Sequence, residues 1–306
     1  MEAKKRSKVR IQADLLMFLA AVIWGGGFVA QRIATKYLGT FTFNGLRFVM
    51  AGLILLPVAL HYLGKIDRSL LWILPAGLLL FGGSALQQTG LETTTAGSAG
   101  FITGVYVVLV PVFLAILWHE KIPLVNWIAA FAALGGTYLL STGGQALKPS
   151  SGDLFELAGA VVWAFHVIVV GLAVRKMNIF VFSVGQFLIC GVINLIVGQF
   201  VSPLSWTAIQ PALPALLYAG IFSVALGFTL QAIGQSQAPT TDAVLILSLE
   251  SVFASIFGAL LLMERMSLVQ IIGAVIIMAA IIGAQIISVK KTDNTQPDTE
   301  VITICN

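Results

Sequence analysis

Charge is what this 306-residue sequence has least of. Its 13 Asp and Glu and 17 Lys and Arg make up 10% of the chain, against roughly 25% in an ordinary soluble domain. That is too little to clothe a water-facing surface, so a soluble globular fold is excluded. Two cysteines, Cys190 and Cys305, give no disulfide framework and no metal-ligand spacing. The three histidines are His61, His119 and His166. His61 and His119 fall at the ends of hydrophobic runs, so facing haem ligands are hard to assemble. The H-E-x-x-H, G-x-S-x-G and P-loop patterns are all missing, which argues against a metalloprotease, a serine hydrolase and an ATP-driven pump. A T-V-G-Y-G filter and an Arg-rich sensor helix are missing too, which argues against a channel. The sequence therefore points away from an enzyme, a cofactor or a metal site.

What the chain has instead is apolar surface, 58% of it from the AVILMFWYC set. At about 20 apolar residues per membrane helix, the runs between charged, Pro or polar breaks give ten spans. They lie near 14–35, 41–63, 71–90, 95–117, 124–142, 153–173, 180–200, 211–233, 240–263 and 268–288. The five basic residues at the start precede an uninterrupted apolar run without a short h-region and cleavage site, so the run reads as a retained first helix. The net charge of +4 does not indicate nucleic acid, because the basic residues sit in small clusters beside apolar tracts. With ten spans, one side collects 12 Lys and Arg (Lys4, Lys5, Arg6, Lys8, Arg10, Lys65, Arg68, Lys121, Arg175, Lys176, Lys290, Lys291). The other collects 4 (Arg32, Lys36, Lys148, Arg265). The positive-inside rule then puts both termini in the cytoplasm. The expectation is a multi-pass protein of the inner (plasma) membrane in contact with lipid.

The chain also repeats itself. Residues 14–52 laid over 153–191 give 10 identities in 39 positions, among them Trp24 with Trp163, Phe48 with Phe187 and Gly52 with Gly191. Farther on, Gln88 matches Gln231 at an offset of 143, and Glu120 matches Glu264 at 144. The organisation expected is a basic cytoplasmic N-terminus (1–13), a first five-helix repeat (14–142), a connecting loop (143–152), a second five-helix repeat (153–288) and a polar cytoplasmic tail (289–306). Because five is odd, the second repeat enters from the opposite side, which makes the halves inverted repeats around a central cavity.

Trp in the first helix of each half, LVPVF at 109–113, LSLESVF at 247–253, and Glu120 and Glu264 just after those spans together resemble the drug/metabolite transporter superfamily, EamA family, over residues 14–288. The resemblance implies an all-α integral membrane fold and a ten-helix exporter of metabolites or amino acids, with a pathway between the halves. In one respect the chain departs from a regular repeat. Pro111 stands nearer to Glu120 than Glu250 does to Glu264, so the fourth span should end earlier, or tilt less, than the ninth.

Charged side chains inside apolar spans are functional candidates by default. Glu250 lies about 15 Å into the ninth span at 1.5 Å per residue, close to the midplane, where it can bind a cationic group, take up a proton, or merely tie two helices together. Arg47, two turns into the second span, either snorkels to the interface or binds a carboxylate; its repeat mate is the neutral Gln186. Asp242 reads as a helix N-cap or first-turn carboxylate, with charge coupling the alternative. Glu92, Glu120, Asp153, Glu156 and Glu264 read as interfacial. His166 shares a helix face with Trp163 and is either a satisfied bundle histidine or a contact for protons or substrate. Gly25-Gly26-Gly27 after Trp24 suggests a bend or a close helix approach.

Polar and aromatic positions near mid-span assemble into a candidate cavity of Trp24, Phe28, Gln31, Ser84, Gln88, Thr103, Tyr106, Trp163, His166, Gln231 and Glu250. Such a lining suits a small amphipathic solute. The function expected is a secondary transporter exporting such a solute, an amino acid or relative, by alternating access. Proton coupling through Glu250, with His166 as a second candidate, is one option. An uncoupled facilitator or channel, or a lipid-handling or sensory membrane protein, is the alternative.

Overall fold

The computed structural model describes residues 2–64, 68–94, 96–145, 150–263 and 266–294. Among them every regular element is helical, as an apolar chain in hydrocarbon requires, since its backbone N–H and C=O groups find no water there. Ten helical stretches are long and apolar enough to cross a membrane. They run Lys8–Ala34, Thr40–His61, Arg68–Thr93, Ser98–Leu117 and Leu124–Thr142, then Ser151–Ala173, Ile179–Val201, Trp206–Gln237, Thr240–Leu261 and Leu268–Ser288; we refer to them as the first to tenth spans. Local chemistry fixes several ends. Gly143 takes a left-handed φ of 61° after the fifth span, a conformation that glycine adopts without strain. Ser150 and Asp153 form a capping box on the sixth, and the Asn178 side chain accepts from the Phe180 and Val181 amides to start the seventh.

The eighth span begins earlier than the sequence suggests. Pro211 and Pro214 stay inside its first segment, Trp206–Leu217, and the next residues, Tyr218–Phe228, wind as a π-helix. As expected, the fourth span ends soon after Pro111, at Leu117, whereas the ninth continues well past Glu250 to Leu261. Glu264, the expected mate of Glu120, lies outside the described residues, as do Lys65, Lys148, Arg265 and the tail from 295 with Cys305.

Small residues let the second span pack on the seventh, and the fifth on the tenth, backbone against side chain, the usual device where lipid removes the hydrophobic drive between helices. A Cβ on Gly52 would lie 2.6 Å from Leu188 Cδ2, and one on Gly191 would lie 2.7 Å from the Val49 nitrogen. Gly45 meets Leu195 and Gly198 meets Thr42 in the same way. As numbers rise along the second span they fall along the seventh, so these helices are antiparallel. Gly136 and Gly273 likewise face each other's carbonyl oxygens between the fifth and tenth spans. The third span packs on the sixth and the eighth on the first, and the fourth packs on the sixth and the ninth on the first.

The glycine run after Trp24 does not break the first helix, which is continuous from Glu2 to Ala34. It gives close approach instead. Gly25 faces the backbone at Phe253 and Ala254, and Gly26 faces Tyr218, whose hydroxyl donates to the Ile23 carbonyl at 2.9 Å. Large apolar side chains such as Leu154, Phe200 and Leu268 are left on the outside, where lipid meets them.

Candidate functional site

A central cavity is lined by Trp24, Phe28, Gln31, Arg47, Gln87, Thr103, Tyr106, Trp163, His166, Val167, Ser223, Phe228, Gln231 and Glu250. Two broken spans shape one wall. The fourth divides into Ala96–Gly104 and Tyr106–Leu117, and the ninth into Thr240–Leu247 and Glu250–Leu262. Tyr106 and Glu250 are each the first residue of a second segment, and the Tyr106 hydroxyl meets the Glu250 carboxyl. Interrupted helices at mid-membrane are tolerated where they line a cavity, and they are where carriers commonly place their ligands.

The opposite wall is aromatic. Phe228 stands 4.8 Å from Trp24 and 6.0 Å from Trp163, centroid to centroid, and Phe48 and Phe187 continue the cluster at 6.3 Å from each other. Phe228 ends the π-helical segment and Ser223 lies within it. Trp24 Nε1 donates to the Ser223 carbonyl at 3.0 Å, so part of the indole's polarity is spent on backbone that the wider helix presents. π-Segments of this kind recur at functional sites.

Several lining groups keep polar atoms without a hydrogen-bond partner among the described residues: Gln31 Oε1, Trp163 Nε1, His166 Nδ1 and Gln231 Oε1. Their other ends are held. His166 Nε2 pairs with Gln186 Oε1 at 2.9 Å, Gln231 Nε2 donates to Gln235 Oε1 at 2.9 Å, and Gln31 Nε2 donates to the Gly27 carbonyl at 3.3 Å. A buried polar atom left unpaired costs about 1–3 kcal/mol. Four of them around one cavity therefore amount to a set of donors and acceptors ready for a polar solute.

Arg47 does not snorkel. It is 4% exposed, its guanidinium sits 5.2 Å and 4.9 Å from the ring centroids of Phe43 and Phe48, and its Nε donates to Asn44 Oδ1 at 3.0 Å. The close packing of the second span on the seventh turns this face inward, away from the interface. Both ion pairs among the described residues belong to Arg10. Arg47 and Glu250 therefore line one cavity, each without an ionic partner.

Nine of the eleven cavity positions expected from sequence line it; Ser84 and Gln88 do not. The Ser84 hydroxyl donates to the Phe81 carbonyl at 3.2 Å, its own carbonyl accepts from Asn44, and Gln88 Nε2 donates to the Gln31 carbonyl at 3.3 Å. Ser84 is spent on helix packing, whereas Gln88 keeps its Oε1 without a partner among the described residues. Gln87, one residue and about 100° around the helix, lines the cavity in place of Gln88. Val167, Ser223 and Phe228 were missed as well. Val167 carries no polar signal, and the π-helical turn that presents the other two has no signature in the sequence.

Asp242 lies away from the cavity and, as one of its two expected readings has it, in the first turn of its helix rather than at the cap. The helix starting at Thr240 is capped by Pro239 without a side-chain bond. The Asp242 carboxylate accepts instead from Arg10 at 2.6 Å, Asn126 at 2.6 Å and Ser288 at 2.5 Å, which ties the first, fifth, ninth and tenth spans at one end. Arg10, expected in a solvated basic terminus, is thus buried and also pairs with Asp14 at 2.9 Å. Glu156, expected at an interface, is fully buried. Glu92 and Glu120 are exposed, and Asp153 completes the capping box.

The family model described as the EamA-like transporter family matches this chain twice, over residues 11–142 and 150–285. An uncharacterized transporter of Archaeoglobus fulgidus is 30% identical over 273 residues, 89% of this chain and 85% of that one. The uncharacterized transporter YvbV of Bacillus subtilis is 29% identical over 89% of this chain and 91% of its own. The uncharacterized inner membrane transporter YedA of Escherichia coli is 30% identical over 155 residues, 49% of this chain and 50% of its own. A crystal structure with 20% identity superposes with a TM-score of 0.75 over 91% of this chain and 98% of that one, which shows the shared fold.

Proposed function

The chain belongs to the EamA-like transporter family, and on that premise we propose that it is an exporter of small amphipathic zwitterions, amino acids or their relatives. The observation that carries this reading is that a base and an acid, Arg47 and Glu250, neither of them in an ion pair among the described residues, line one cavity whose remaining wall is Trp24, Trp163 and Phe228. A solute with a carboxylate and an ammonium group satisfies both charges at once, and an apolar side chain fills the aromatic wall. Arg47 is the group for the carboxylate. Glu250, with Tyr106 beside it, takes the ammonium and can exchange a proton when the site is empty. The indole of Trp163, the Nδ1 atom of His166 and the amides of Gln31 and Gln231 supply the remaining polar contacts.

The transport cycle in this reading is a rocking of two five-helix halves in inverted orientation, with both termini in the cytoplasm of an inner-membrane protein. Equivalent spans two and seven, packed antiparallel through Gly52 and Gly191, form the seam about which such a motion turns.

Thermal stabilisation of the purified protein tests the recognition. L-phenylalanine should raise the melting temperature more than either phenethylamine or 3-phenylpropionate, each of which lacks one charge. Arg47→Gln and Glu250→Gln should each remove the preference for the zwitterion. Equal stabilisation by all three compounds, or retention of the preference in both variants, would refute the assignment.

A further inference from the structure

Glu156 is a second buried acid with no part in the recognition just described. It lies in the first turns of the sixth span and is 0% exposed. Its Oε2 accepts from the Thr103 hydroxyl at 3.0 Å, while Oε1 has no partner among the described residues. Oε1 is pressed against Gly90 of the third span, where a Cβ would stand 2.7 Å from it, so a larger residue at position 90 would displace the carboxyl. The titratable groups that act on it are Asp153, one turn away on the same span, and Glu250 of the ninth span. Both are acids, and no cation lies within ion-pair distance among the described residues. Taking an uncompensated carboxylate out of water is costly, and a single hydroxyl donor does not offset it.

Thr103 connects the carboxyl to the solute pathway. Its hydroxyl touches Glu156, and its side chain lines the cavity. We propose that Glu156 is a proton-binding site, exchanging its proton with the cavity through the Thr103 hydroxyl as the protein turns over. The transfer balances without a co-reactant once the Thr103 hydroxyl turns from Glu156 Oε2, to which it donates here, toward the cavity: the Glu156 O–H then donates to Thr103 Oγ1 and passes its proton there while the hydroxyl's own proton passes to a water or solute base in the cavity, and reprotonation reverses these steps. Glu250 is the residue that meets solute, and Glu156 holds a proton one hydroxyl farther back. The proposal rests on the transporter reading for its role, though not for its test.

The test uses the proton alone as probe. Infrared difference spectra of the purified full chain are recorded between acidic and alkaline buffer for the wild type, Glu156→Gln, Glu250→Gln and Thr103→Val. The expected result is a protonated-carboxyl component that titrates in the wild type, is lost in Glu156→Gln, persists in Glu250→Gln and exchanges its proton for deuterium more slowly in Thr103→Val. If Glu156→Gln fails to fold, the Thr103→Val comparison carries the same test with the acid in place. A pH difference spectrum unchanged by Glu156→Gln would overturn the proposal, as would deuterium exchange unaffected by Thr103→Val. Failure of the zwitterion to stabilise the protein would bring down the transport reading and leave this result standing, so the two failures are distinguishable.

Discussion

Replacing Asp242 by Asn should destabilise the bundle more than any change at its exposed charges. The Asp242 carboxylate accepts from Arg10, Asn126 and Ser288 at 2.6, 2.6 and 2.5 Å, and the Arg10 and Asp242 side chains are 6% and 5% exposed. Removing one partner of a buried ion pair costs about 3–5 kcal/mol. The upper end is not reached here, because Arg10 keeps Asp14, at 2.9 Å, as a second carboxylate. The loss expected for Asp242→Asn is therefore about 3 kcal/mol. Asp14→Asn, in a more exposed i,i+4 pair, should lose about 1 kcal/mol or less. Arg10→Gln together with Asp242→Asn should lose less than the sum of the single changes, because the two residues share one interaction. Denaturant unfolding of the purified protein, followed by tryptophan fluorescence, measures all four. A loss at Asp242→Asn no larger than at Asp14→Asn would refute the reasoning, and so would strict additivity of the double variant.

Three further outcomes follow from the packing and the cavity. Gly52→Leu puts a side chain where a single Cβ already lies 2.6 Å from Leu188, and overpacking of that kind costs about 1–3 kcal/mol or more; melting temperature and yield should both fall, and an unchanged melting temperature would contradict the seam. Phe228→Ala removes the ring shared by Trp24 and Trp163, at about 3–5 kcal/mol for a large-to-small core change. It should weaken L-phenylalanine more than L-alanine in the stabilisation assay, and equal weakening would separate Phe228 from the solute. Gln186→Leu removes the partner that holds His166 Nε2 at 2.9 Å, worth about 0.5–1.5 kcal/mol; the His166 ring resonances in NMR spectra should change with it, and unchanged resonances would mean that another group orients the ring.

Much of the architecture is legible in the sequence because lipid allows so few solutions. Runs such as 268–288 and 124–142 become spans with the bounds their composition suggests, since a helix is the way for an apolar stretch to satisfy its backbone there. The site is less legible, for two physical reasons. In helices apolar on every side, periodicity does not say which face turns inward, so Gln88 and Gln87 cannot be told apart until the third span is seen packed on the sixth. Reading charge by distance from a span end also fails when packing buries the end. Arg10, Glu156 and Arg47 all look interfacial by position, yet each is enclosed by neighbouring helices. Tyr106 and Glu250, by contrast, are found by polarity alone, and each begins the second segment of a broken span that lines the cavity.

The central claim, that Arg47 and Glu250 together select a zwitterion for transport, is tested most directly by counterflow. Proteoliposomes loaded with unlabelled L-phenylalanine and diluted into labelled L-phenylalanine should accumulate label transiently with the wild type. Phenethylamine or 3-phenylpropionate inside the vesicles should drive that accumulation far less well. Losing one charged hydrogen bond is worth about 1.5–3 kcal/mol, so Arg47→Gln should need roughly 10- to 100-fold more solute for the same exchange. Accumulation driven equally by all three compounds, or exchange indifferent to Arg47→Gln, would contradict the account.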